Sequence, residues 1–89
     1  MTNNQVEEKL EGLVETLAAV EHERWAHWQA HLHGKAKRRA DGSLVLPPDL
    51  VERWEAQIQT PYARLSEAEK ESDREQVRRY LPIIASAFC

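Results

Sequence analysis

The strongest constraint on the fold is a run near the N-terminus. Leu10, Val14, Leu17, Glu21, Trp25, Trp28 and Leu32 recur at spacings of 4, 3, 4, 4, 3 and 4 residues. That rhythm places them on one face of an α-helix and excludes a strand, whose side chains alternate with period two. The only glycine inside the run is Gly12, a residue that lowers helix stability by about 1 kcal/mol relative to alanine. Gly34 reads as a C-cap, so the pattern predicts one long helix over residues 5–33. Glu21 interrupts the apolar stripe. A carboxylate on a buried face needs a partner, and the Arg74 guanidinium and the Tyr62 hydroxyl are the expected ones.

Beyond Gly34 the pattern is lost. Residues 34–48 are expected to form an irregular basic loop with at most one short extended segment at Leu44-Val45-Leu46. Asp41-Gly42 marks a turn, Pro47-Pro48 stops the apolar run, and no second strand is evident. A second helix is expected over about 48–58, with Pro48 in its first turn and Leu50, Val51, Trp54 and Ile58 on its apolar face. Thr60-Pro61-Tyr62 reads as a turn. Ser66 and Glu69 form a capping box that starts a third helix, 67–86, with Leu65, Val77, Tyr80, Leu81 and Ile84 as core candidates. Pro82 is expected to kink or end that helix near Tyr80 to Leu81. The expected architecture is therefore all-α, a small three-helix domain spanning residues 1–89.

Eighty-nine residues give a thin core, because a chain this short buries only about 60% of its unfolded surface. Trp25, Trp28 and Trp54 are the large residues available to fill it. The single cysteine, Cys89, cannot form an intrachain disulfide, which suits a reducing compartment. The polar start Met1-Thr2-Asn3-Asn4-Gln5 lacks the features of a signal peptide, and no apolar run approaches membrane-spanning length. A cytoplasmic location is expected.

The net charge of −3 is unevenly spread. Residues 1–23 carry six glutamates against Lys9, whereas residues 24–40 hold Arg24, Lys35, Lys37, Arg38 and Arg39 with no acidic residue. A basic island in an acidic chain favours a local anion site over general nucleic-acid affinity. Its plainer reading is a solvated loop.

Chemistry-bearing constellations are sparse. Glu23, His27 and His31 are spaced four apart as helical metal ligands are, but position 26 is alanine where a zinc-protease motif needs histidine, and no distant ligand group is evident. Solvated or capping histidines are the alternative, and no metal or cofactor is expected. Ser43, Ser66, Ser72 and Ser86 have no glycine-rich elbow, and Gly34-Lys35 is not a phosphate loop. Catalysis is not expected.

Two segments carry a family resemblance. Glu21-His22-Glu23-Arg24-Trp25-Ala26 resembles the histidine-x-x-tryptophan signature that opens the repeat domain of ryanodine receptors, the RyR domain. The stretch Pro61-Tyr62-Ala63-Arg64-Leu65-Ser66-Glu67-Ala68-Glu69-Lys70-Glu71-Ser72-Asp73-Arg74 resembles that domain's second signature. The middle departs from the receptor pattern, with basic residues after Gly34 in place of a glycine-tryptophan-x-tyrosine-glycine segment. Together with Arg53-Trp54, the two segments are more similar to short bacterial, phage and prophage chains of this family. The resemblance implies that the signatures pack together and form an aromatic-lined pocket for an adenine-nucleotide-like ligand. His22, Trp25, Tyr62, Asp73 and Arg74 are the positions that match. On this reading Trp25 stacks on a base and Arg74 meets a phosphate, with Glu21, Lys35, Arg38 and Arg39 as secondary contacts. A phage accessory protein that sequesters a nucleotide signal is the implied use. Two alternatives stand beside it. The five residues could form a polar network that only holds the helices together, and the chain could be a protein-interaction module, such as a homodimer anchored by its tryptophans.

Overall fold

The computed structural model describes all residues, 1–89. It is mainly helical. Four α-helices, one 3₁₀ turn and a two-stranded hairpin follow in the order α1 (Asn3–Glu11), α2 (Val14–Lys35), β1 (Lys37–Arg38), β2 (Leu44–Val45), α3 (Pro48–Gln59), the 3₁₀ turn (Tyr62–Arg64) and α4 (Glu67–Ser86).

The single helix expected over 5–33 is two helices. Thr2 caps α1 in a reciprocal box with Gln5. The chain then passes through a tight turn, where Leu13 N–H donates to the Leu10 carbonyl at 3.0 Å, and α2 restarts with Leu17 N–H on the Leu13 carbonyl at 2.9 Å. Gly12 keeps right-handed φ and ψ, so it breaks the helix through its weak helical preference rather than through a special backbone angle. Gly34 does not cap α2. The helix runs through it to Lys35, and Ala36 in extended conformation ends it.

The loop expected at 34–48 is a hairpin. Lys37 pairs with Val45 and Arg38 with Leu44 in antiparallel register. Gly42, at φ 89°, supplies the left-handed residue that the reversal needs. Arg39 and Ser43 close the hairpin, with Arg39 N–H on the Ser43 carbonyl at 2.8 Å. The Asp41 carboxylate accepts from the Ser43 backbone at 2.9 Å and from its hydroxyl at 2.6 Å.

Helix α3 begins at Pro48 as expected and ends at Gln59. Its Trp54 meets Trp28 of α2 edge to face, ring centroids 5.5 Å apart at 72°, a geometry favoured by the ring quadrupoles. Helix α4 starts on the expected capping box: Glu69 N–H donates to Ser66 Oγ at 3.2 Å and Ser66 N–H to Glu69 Oε1 at 3.2 Å. Pro82 does not end α4, which continues to Ser86.

Helices α2 and α4 lie antiparallel. Lys9 of α1 donates to the Ala87 carbonyl just past the end of α4 at 3.2 Å, and farther along Glu23 of α2 meets Arg79 at 2.5 Å. No residue is buried, and the molecule extends 56 × 33 × 18 Å. Leu13, Leu17, Val20 and Leu32 of the first segment are half-buried, as are Leu50, Val51, Trp54, Leu65, Tyr80, Ile83 and Ile84. Leu10, Val14, Trp25, Trp28, Ile58, Val77 and Leu81, all expected on core faces, are exposed. No helix is long and apolar enough to cross a membrane.

The capping box is the most testable local device. The Ser66 hydroxyl donates to Glu69 Oε1 at 2.7 Å, and the Gln57 amide donates to Glu69 Oε2, tying α3 to α4. Hydrogen bonds from Ser66, then from Gln57, hold the Glu69 carboxyl below its ordinary value. A depressed carboxyl contributes stability that is present above the unfolded-state value and is lost as pH falls through the folded-state value. Ser66→Ala should therefore lower stability at neutral pH by about 1 kcal/mol, the usual effect of losing an N-cap. It should also flatten the acid side of the stability profile below pH ~4.5. Urea melts at pH 7 and pH 3 check both; equal losses at the two pH values would contradict the linkage.

Candidate functional site

The first signature segment lies in the middle of α2, where residues three apart face the same way. The Arg24 guanidinium reaches Glu21 Oε2 at 2.8 Å, the His22 ring stacks on Trp25 with centroids 6.0 Å apart, and Trp28 stacks on His31 at 5.5 Å. Glu21 does have a charge partner, but it is Arg24 rather than Arg74 or Tyr62. Its side chain is about half exposed, so the face carrying it is solvated and a partner within its own helix suffices.

The second signature segment enters through Pro61 and the 3₁₀ turn into α4. Lys70 Nζ sits 5.8 Å from the centroid of the Tyr62 ring, within cation–π reach. Arg74 bridges two carboxylates of its own helix, Glu67 at 3.2 Å and Glu71 at 3.3 Å. Hydrogen bonds to Glu71, then Glu67, with a smaller contribution from the nearby Tyr62, raise the Arg74 guanidinium above its ordinary value. Arg78 also meets Glu71, at 2.5 Å, and Arg78 followed by Arg74 holds the Glu71 carboxyl low. Tyr62 and Arg74, both of the second segment, lie near one another.

Charge joins the two segments. Glu23 of α2 pairs with Arg79 of α4 at 2.5 Å. Arg24 is raised chiefly by its hydrogen bond and charge interaction with Glu21, with a smaller contribution from the charge of Asp73. Arg24 therefore lies in the field of Asp73 across the helix pair. The sequence reading missed Lys70, Arg79 and Glu23 as members of this network. The Glu23–Arg79 pair carries no local spacing signal, since 56 residues separate the two. Lys70, eight residues from Tyr62, could have been found only by placing the 3₁₀ turn first.

The basic residues proposed as secondary contacts sit apart. Ten residues of helix separate Trp25 from Lys35, roughly 15 Å along the axis, and Arg38 and Arg39 lie beyond it in the hairpin. Two surface depressions flank α1, one lined by Met1, Gln5, Glu8 and Lys9 and one by Asn4, Glu7, Glu8 and Glu11. Neither involves a residue of the two signatures. Of the helical histidine set, Glu23 is engaged by Arg79 and His31 by Trp28, and no three such groups converge on a common point.

A family model described as the RyR domain matches residues 1–87. The chain belongs to the RyR domain family. No curated protein and no solved structure matched it. In this RyR domain α2 and α4, which carry the two signatures, are joined by a single ion pair, Glu23–Arg79, with aromatic rings left outside. Trp25 is 59% exposed and Tyr62 is 49% exposed.

Proposed function

We propose that this RyR domain is a non-catalytic binding module for a small adenine-nucleotide-like ligand. The observation that carries the reading is the exposed Trp25 ring on a helix joined to α4 through the Glu23–Arg79 pair. A tryptophan held by a flanking His22 stack is preset for a base. Arg74 is tied to Glu67, whose side chain is 80% exposed, and surface pairs of this kind contribute only about 0–1 kcal/mol. A phosphate, which the planar guanidinium binds through two parallel hydrogen bonds, can displace that carboxylate. His22, Tyr62 and Asp73 complete the rim, and Lys70 adds a second cation. The non-catalytic reading is supported by the hydroxyls and the thiol: Ser66 caps α4, Ser43 is held by Asp41, Ser86 by the Pro82 carbonyl, and Cys89 by the Ala85 carbonyl. Each is engaged within its own turn, in a cap or a local hydrogen bond. In a bacterial or phage-infected cytoplasm such a module would sequester a nucleotide signal.

Calorimetry against mono-, di- and cyclic nucleotides tests this. Trp25→Ala should weaken binding by about 1–3 kcal/mol whatever the phosphate count. Arg74→Ala should weaken phosphorylated ligands more than the nucleoside, because its contribution is charge-assisted. Both variants must first give the wild-type circular dichroism spectrum. Absence of heat with every nucleotide at millimolar concentration would refute the reading.

A second reading, a protein-interaction module, is favoured by one observation: no residue is buried, while Trp25, Trp28 and Tyr62 are all exposed.

A further inference from the structure

We propose that this RyR domain is an obligate homodimer, in which the charge-poor end of the α2–α4 pair is completed by the same end of a second copy. The proposal is independent of the nucleotide reading, whose residues lie in the charged middle of the pair. It starts from surface area. The chain exposes 7264 Å², whereas a compact monomer of 10.3 kDa exposes about 5,400 Å². The radius of gyration is 17.9 Å, against about 12 Å for a compact chain of this length. A folded protein with no buried residue leaves its conformational entropy unopposed by a core. Some of its apolar surface must be covered by another body.

The position of that surface is legible. From Tyr80 to Cys89 there is no charged residue, and from Gly12 to Val20 only Glu15. The antiparallel arrangement and the Lys9–Ala87 hydrogen bond bring these two stretches to the same end of the molecule. There Leu10, Val14, Val77, Leu81 and Phe88 are exposed. Val77 and Leu81 are one turn apart on α4, each 54% exposed. Depletion of charge combined with exposed large apolar side chains is the composition of an interface core.

A second copy is the occupant the quantities favour. The excess of roughly 1,900 Å² per chain over a compact monomer is spread over the whole elongated surface and so bounds a symmetric interface at nearly 4,000 Å², a ceiling that leaves room for the ~2,000 Å² at which obligate homodimers begin. Two helices contributed by each chain make a four-helix bundle, a packing that buries such stripes through short antiparallel contacts. A two-fold axis also requires the patch to be self-complementary, and a patch whose charges are few and of both signs, Lys9 and Glu15, meets a copy of itself with little like-charge repulsion.

Sedimentation equilibrium of the full chain tests the proposal. The expected result is twice the 10.3 kDa chain mass at micromolar concentration, with a melting temperature that falls at each tenfold dilution. Leu81→Glu should shift the mass toward the single chain, with loss of helical signal at dilutions where the wild type stays folded. Ile58→Glu, at an exposed site on α3 away from this end, should leave the mass unchanged. A single-chain mass for the wild type across the concentration range, with a melting temperature independent of concentration, would overturn the proposal. The wild-type measurement decides even if Leu81→Glu fails to fold.

Discussion

Trp54→Ala is expected to lower the free energy of unfolding by about 3 kcal/mol, the low end of the range for removing a core tryptophan. The low end applies because Trp54 is half-buried rather than enclosed. Its loss removes the edge-to-face contact with Trp28, worth about 0.5–1.5 kcal/mol beyond the area itself. It also removes the one aromatic contact that joins α3 to α2. In a domain of this size each kcal/mol moves the melting temperature by roughly 4–8 °C, so the drop should exceed 10 °C. Ile58, one turn along the same helix and 82% exposed, gives the internal comparison. Ile58→Ala should stay within about 0.5 kcal/mol of wild type. The two variants must be melted at the same chain concentration, since self-association makes the melting temperature depend on it. Equal effects would mean that the Trp28–Trp54 contact does not anchor α3.

Pro82→Ala should act in the opposite direction, raising stability by about 1–3 kcal/mol. Pro82 sits inside α4, four residues before its end at Ser86. With no N–H, it leaves the carbonyl one turn back without its helical donor, and its ring crowds that turn. The sequence suggests that such a residue should stop the helix, yet α4 continues beyond it. The half-buried Ile83 and Ile84 follow directly, and burial of these side chains offsets a local defect. The Ser86 hydroxyl donates to the Pro82 carbonyl at 2.6 Å, tightening the last turn. Thermal melts of the two proteins decide the sign. A lower melting temperature in the alanine variant would mean that the proline sets a bend on which the packing of the last turn depends.

Local devices with a stereochemical cause were legible in the sequence. Ser66 and Glu69 cap α4 because a hydroxyl and a carboxylate three residues apart can satisfy each other's backbone donors. Pro48 opens α3 because its missing N–H is unneeded there. The expected stripe held at Leu17 and Leu32 and failed at Leu10, Val14, Trp25 and Trp28, for a physical reason. Once the helix breaks at Gly12, the half-buried face of α2 is Leu13, Leu17 and Val20, which keeps helical spacing but is rotated from the face carrying Leu10 and Val14. A sequence with apolar residues on two faces cannot say which face the neighbour covers. The hairpin was hidden because Lys37-Arg38 carries no apolar alternation. The Asp41-Gly42 turn and the extended segment at Leu44-Val45 were visible, but not the strand that pairs with it. In the candidate site, Tyr62 with Arg74 was foreseeable from the second signature, while Glu21 took the nearer arginine and the Glu23–Arg79 pair required the docking of α2 on α4.

The hairpin divides the basic island. Successive strand residues project to opposite sides, so Lys37 and Arg38, aligned with Val45 and Leu44, carry their charges on different faces. A polyanion laid along one face meets Lys37 with Arg39, and along the other Arg38 alone. Each phosphate neutralised on a single strand contributes about 0.7 to the slope of log affinity against log salt. Counterion release from this hairpin is therefore expected to be slight, and the charge cluster that looks dense in the linear sequence is dilute to a nucleic acid in three dimensions.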